Sequence, residues 1–122
     1  MIERELTRAE EQIMQVLWQL ERGFVKDVID QLPVPKPAYN TVSTIIRILE
    51  QKGFVGHKAY GKSHEYFPIV SKEQYRSFAT EKLMEGYFGN SVESLFSFFV
   101  QKKRVDLNEA DEILKLIQGM KK

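Results

Sequence analysis

The sequence predicts a mostly α protein with one small β-hairpin: three helices, the hairpin, then three more helices. Three observations carry that expectation. Apolar residues recur at i, i+3, i+4, i+7 through the first half of the chain, as on one face of an α-helix. After Gly53 the period changes to strand-like runs on either side of Gly61-Lys62, and from Ser71 the helical period returns.

The first helix begins at Thr7. Glu10 stands three residues on, the spacing of a capping box. Ile13, Met14, Leu17 and Leu20 form its inward face, and Gly23 is expected to stop it. Val25, Val28, Ile29 and Leu32 set out a short second helix that ends against Pro33, Pro35 and Pro37, because proline lacks the amide donor and disfavours helix in the residue before it. In the third helix Val42, Ile45, Ile46 and Leu49 form the apolar face, with Ala38 or Asn40 as cap and Gly53 as the left-handed residue past its end. The runs FVGHKAY and SHEYFPIV read as a hairpin, the second running out near Pro68. Three helices and a hairpin in this order are a winged helix-turn-helix.

The other face of the third helix is the chemically informative one. It carries Tyr39, Asn40, Thr41, Ser43, Thr44 and Arg47, with Glu50 as its one acid. Solvated helix faces usually mix long charges of both signs. Short hydroxyls, an amide and a guanidinium instead suit base edges and phosphates in a DNA major groove. Lys58, Tyr60, Lys62 and His64 fall on or near the hairpin, placed to meet the adjoining phosphates. Such contacts position a protein on DNA without specifying sequence.

Charge is distributed to match. The net charge of the 122 residues is +1, but residues 1–30 carry −3, residues 31–64 carry +4 and residues 65–122 are neutral. A basic stripe on an otherwise balanced chain is the electrostatic footprint of a nucleic-acid binder.

From Ser71, with Gln74 as a second capping box, a helix runs with Tyr75, Phe78, Ala79 and Leu83 on one side; Gly86, Gly89 and Asn90 are expected to interrupt it. A fifth helix follows Ser91 with Val92, Leu95, Phe96, Phe99 and Val100 at helical spacing, and a sixth follows Asn108 with Ala110, Ile113, Leu114 and Ile117 inward. So small a segment struggles to bury these faces alone. A second copy is the simplest cover, through Phe78, Leu83, Phe88, Val92, Leu95, Phe96, Phe99, Ile113 and Ile117; the alternative is that these helices pack back onto the chain's own N-terminal domain. The chain thus divides into residues 1–70, a DNA-binding domain, and residues 71–122, a helical dimerisation domain.

Other classes find no support. With no cysteine there are no disulfides or thiolate zinc sites, which fits a reducing cytoplasm. The two histidines, His57 and His64, fall short of the three or four ligands a zinc site needs. No apolar run approaches a membrane span, and MIERELTRAEEQ is too charged for a signal peptide. No nucleophile triad, phosphate loop or acid/base pair stands out, so the expectation is a non-enzyme without metal or cofactor. The competing reading is a winged helix that binds another polypeptide rather than DNA.

Across nearly its whole length the chain resembles the penicillinase-repressor family (BlaI/MecI type) of winged-helix transcriptional regulators. The resemblance is carried by Leu6-Thr7, Glu10 and Leu17-Trp18, by Val25-Lys26-Asp27-Val28, and by Tyr39-Asn40-Thr41-Val42-Ser43-Thr44 with Arg47, Leu49 and Lys52-Gly53. In the hairpin it is carried by His57 to Gly61 and Tyr66-Phe67-Pro68. It implies a homodimeric repressor on a near-palindromic operator in double-stranded DNA, released when a membrane sensor protease triggers a cut in the dimerisation region. Better-known members are cut at an Asn-Phe bond, and the matching place here reads Phe98-Phe99. The copper-responsive branch carries a C-terminal cysteine cluster, which this chain lacks.

Overall fold

A computed structural model describes residues 5–120. The elements run α1 (Arg8–Leu20), α2 (Val25–Gln31), α3 (Tyr39–Gln51), β1 (Val55–Tyr60), β2 (Ser63–Pro68), α4 (Lys72–Phe88), α5 (Val92–Gln101) and α6 (Leu107–Met120). They form two compact units, the first ending at Phe78 and the second beginning at Ala79.

Local chemistry starts most helices where the sequence places them. Thr7 Oγ1 accepts from the Glu10 amide at 3.2 Å, and Glu10 Oε1 accepts from the Thr7 amide at 2.9 Å. Ser71 and Gln74 repeat this reciprocal arrangement at 3.1 and 2.8 Å. Ser91 caps α5 through the Ser94 amide at 3.0 Å. At α3 the cap is Ala38, which leaves Asn40 in the first turn without a capping duty. Gly53 ends α3 with φ of +84°, and the Phe54 amide returns to the Leu49 carbonyl at 2.9 Å.

Three boundaries differ from expectation. α1 ends at Leu20, and the capping residue Glu21 takes the positive φ of 71°. Gly23 has another use: its amide and carbonyl both pair with Tyr66, at 2.9 and 2.8 Å, so the α1–α2 connection flanks β2 like a third strand. α4 runs straight through Gly86 and stops only at Gly89 and Asn90, where φ reaches +54° and +62°. A single glycine weakens a helix by about 1 kcal/mol, too little to break one otherwise favoured. α6 begins two residues earlier than the sequence suggests, because Asp106 rather than Asn108 caps it: its Oδ1 accepts from the Glu109 amide at 2.7 Å.

The hairpin pairs β1 and β2 antiparallel, from Val55 opposite Pro68 to Tyr60 opposite Ser63. Gly61, first of the two loop residues, has φ of +62°, the requirement of a type II′ turn.

The first unit closes around Met14, Leu17, Val28, Val42, Ile46, Leu49 and Val55, all essentially inaccessible to solvent. The start of α4 seals it. Tyr75 packs on Trp18 and Phe54, its ring centroids 6.2 and 5.8 Å from theirs, and its hydroxyl accepts from the Leu6 amide at 2.9 Å. The Trp18 indole donates to the Val70 carbonyl at 2.9 Å. An ion pair ties α1 to the end of α3: Lys52 Nζ lies 2.7 Å from Glu10 Oε1, both side chains largely buried. Burial pushes the Glu10 carboxyl up, but the Lys52 ammonium and the Thr7 amide outweigh it and hold the group below its ordinary value.

The second unit is built differently. α5 has no buried residue, and among the described residues Ala110 is the one buried hydrophobic of the unit. Phe88, Phe98 and Phe99 contact one another, with centroids 5.7 and 5.9 Å apart along that chain of rings.

Candidate nucleic-acid interface

α3 and the hairpin face each other across an open groove of about 730 Å³. Its walls include Tyr39, Ser43 and Arg47 of α3, Tyr60, Lys62, Ser63, His64 and Tyr66 of the hairpin, and Phe24 to Asp27 at the start of α2. Each wall follows from local structure. The α3 apolar stripe turns Val42, Ile46 and Leu49 into the core, so Thr41, Thr44 and Arg47 are left outward. The tight turn at Gly61 carries Lys62 to the hairpin tip.

Most of the sequence-predicted residues are where a ligand could reach them. Tyr39 is 59% exposed, and Asn40, Thr41, Thr44 and Arg47 are exposed as well. Ser43 is the exception on that helix face. It is only 7% exposed, and its Oγ accepts from Arg47 Nη2 at 3.3 Å, because it lies at the border of the buried stripe. Ser43 therefore holds the guanidinium rather than presenting its own hydroxyl to solvent.

On the hairpin, Lys62, His64 and Tyr60 line the groove, whereas Lys58 does not. Strand alternation sets Lys58 and Tyr60 on one side and His57 and His64 on the other. Lys58 Nζ stands 5.3 Å from the centre of the Tyr60 ring. His57 and His64 stack with centroids 4.1 Å apart, and His57 Nδ1 lies 2.5 Å from Glu50 Oε2. Glu50, the one acid among residues 31–64, is thus engaged with the hairpin. Burial, reinforced by the Glu50 charge, pushes the Tyr66 phenol up, so it stays a neutral hydroxyl on the groove wall.

The structure also redistributes the basic stripe. Lys36 donates to the carbonyls of Ile29, Asp30 and Leu32, closing the end of α2. Lys52 is committed to Glu10. Arg47, Lys58 and Lys62 remain as exposed cations of that segment, and Lys26, from the acidic first thirty residues, joins Arg47 and Lys62 at the groove. Lys26 is absent from the sequence-predicted contacts because segment charge hides it; its place at the start of the helix preceding α3 is the signal that could have found it.

Of the apolar residues assigned to pairing, Phe78 lies in the first unit, 5.6 Å from Tyr75 ring to ring. Leu83, Val92 and Ile113 are exposed, and Phe88, Leu95, Phe96 and Phe99 are half-buried in the second unit. The Ile117 side chain lies outside the described residues. Among the described residues no group of three or more His, Asp or Glu could hold a metal ion, and no helix is long and apolar enough to cross a membrane.

Comparison with known proteins agrees with this architecture. The chain is similar to the methicillin resistance regulatory protein MecI of Staphylococcus aureus (strain N315), with 22% identity over 114 residues covering 93% of each chain. It is similar to the penicillinase repressor of Bacillus licheniformis, with 20% identity over 118 residues covering 96% of this chain and 92% of that one. Among solved structures, the DNA-binding domain of the repressor BlaI superimposes with a TM-score of 0.51 at 25% identity, covering 58% of this chain and 88% of that one. The penicillinase repressor family profile matches residues 6–119, nearly the whole length. With its three helices, hairpin and helical second unit, the chain belongs to the penicillinase repressor family.

Proposed function

We propose that this protein is a transcriptional repressor that binds operator DNA as a homodimer. The observation that carries the reading is the α3 face: Tyr39, Asn40, Thr41, Thr44 and Arg47 stand exposed beside the cationic hairpin, while their own helix supplies the core. α3 enters the major groove, Arg47 reads a base edge with Ser43 fixing its guanidinium, and Lys58, Tyr60, Lys62 and His64 meet the neighbouring backbone. Residues 1–70 serve as the DNA-binding domain and residues 71–122 as the dimerisation domain.

Pairing is supported by the apolar surface of the second unit, where Leu83, Val92, Phe98, Ile113 and Leu116 are exposed together with Tyr87. A two-fold dimer reads a near-palindromic operator with half-sites about 34 Å apart. Release by a sensor protease belongs to the same reading. A cut between Phe98 and Phe99 falls inside α5 and would split the ring contacts that organise the unit.

Fluorescence anisotropy with DNA from upstream of the protein's own gene, against scrambled DNA at two salt concentrations, tests the proposal. Tight, selective and salt-sensitive binding is the expected result. Arg47→Ala should weaken operator binding by about 1–3 kcal/mol and spare scrambled DNA. An equal loss on both DNAs would reduce Arg47 to a phosphate contact, and equal weak binding by the unaltered protein would overturn the repressor reading.

A further inference from the structure

The groove between α3 and the hairpin has a third bank that neither the α3 face nor the hairpin accounts for: Phe24, Val25, Lys26 and Asp27, at the start of α2. We propose that one sugar-phosphate strand of bound duplex DNA is held in this groove between Lys26 on the α2 side and Lys62 on the hairpin side, making Lys26 a phosphate-binding residue. The inference rests on the DNA-binding reading above and extends it to a site on another element.

Charge within the groove favours such an occupant. Lys26, Arg47 and Lys62 line it, against Asp27 as the one carboxylate. Asp27 is already engaged, its Oδ2 accepting from the Phe24 amide at 2.9 Å. Glu50 is held by His57. The remaining polar wall, besides Ser43 and His64, offers hydroxyl donors suited to phosphate oxygens: the neutral Tyr66 phenol, the Tyr39 and Tyr60 hydroxyls and Ser63. Phe24 and Tyr60, with centroids 5.9 Å apart, add apolar surface to the groove lining against which deoxyribose can rest. Two other lysines cannot serve in place of Lys26, because Lys36 is spent on the α2 carbonyls and Lys52 on Glu10.

A lysine–phosphate contact is independent of sequence, so a mixed-sequence duplex is a sufficient probe. Binding of the full chain is titrated across salt concentrations for the unaltered protein, Lys26→Ala, Lys62→Ala and the double variant. Lys72→Ala, whose lysine lines a separate hollow against α1, is the control. Thermal unfolding confirms that each variant folds. The expected result is a slope of log affinity against log salt that falls by about one for Lys26→Ala and by about two for the double variant. Lys26→Arg should restore the slope, and Lys72→Ala should leave it unchanged. Salt-sensitive binding that Lys26→Ala does not alter would overturn this proposal and leave the repressor reading intact. Absence of salt-sensitive binding by the unaltered protein would overturn both.

Discussion

The two units of this chain solve the same packing problem in opposite ways. The first withdraws seven large apolar side chains almost completely from water, among them Leu17, Ile46 and Leu49. The second carries three helices yet leaves Tyr87 80% exposed and Leu116 69% exposed, with Ala110 its one buried hydrophobic among the described residues. Composition does not separate them, since α5 is among the most apolar stretches of the chain. The difference is closure. A helix face becomes core only when another element covers it, and the first unit has α1, α2 and β1 to cover α3. α5 and α6 have mainly each other. A unit that completes its own core presents a polar working surface; one that does not presents an apolar surface suited to a second copy.

The largest expected effect separates the units by stability. Leu49→Ala should destabilise the first unit by about 2–5 kcal/mol, through lost burial and the cavity left behind. Trp18, the single tryptophan, lies in that unit, so its fluorescence during urea unfolding reads the effect directly. A loss below about 1 kcal/mol would mean that the core tolerates what its burial says it should not.

Next comes the surface of the second unit. Leu83→Ser removes an exposed apolar group and should weaken self-association by about 1–3 kcal/mol, since both copies lose it, while leaving the Trp18 transition in place. Sedimentation velocity over a dilution series checks this. An unchanged dimer would move the interface away from that part of α4.

The smallest effect concerns the Glu10–Lys52 pair. Glu10→Gln should cost about 1–2 kcal/mol at neutral pH, by weakening a charge-assisted hydrogen bond that also closes the α1 cap. The Glu10 carboxyl titrates below its ordinary value in the folded chain. Its contribution is therefore present above the unfolded carboxyl's range and is lost as pH falls through the lower folded value. Urea unfolding followed from neutral pH to about pH 3 should show a steeper loss for the unaltered protein than for Glu10→Gln. Parallel profiles would assign the acid sensitivity to other carboxylates.

Legibility in the sequence followed the range of each interaction. Thr7 with Glu10, Ser71 with Gln74 and Ser91 with Ser94 are contacts three residues apart, and all three caps stand where they were expected. Gly53 is equally plain, because a left-handed residue past a helix end is a local requirement, and the hairpin around Gly61-Lys62 is legible from the change of period on either side. Gly23 looks like a helix stop in the sequence because its pairing with Tyr66 depends on a strand far along the chain. The burial of Ser43 is not legible, because a short hydroxyl beside an apolar stripe reads as polar whether it is covered or not.

The sequence by itself determined the order of elements, the apolar face of each helix and the unusual chemistry of the α3 surface, because periodicity, caps and turns act within a few residues. Tertiary structure decided which charges remain available. It committed Lys36 to the α2 carbonyls, Lys52 to Glu10 and Glu50 to His57, and it brought Lys26 to the groove beside Arg47 and Lys62. It also decided which apolar faces are covered. The Glu10–Lys52 pair and the covered faces depend on segments remote in sequence, and even the nearer commitments of Lys36 and Glu50 need the chain to turn back on a preceding helix, which helical or strand periodicity does not encode.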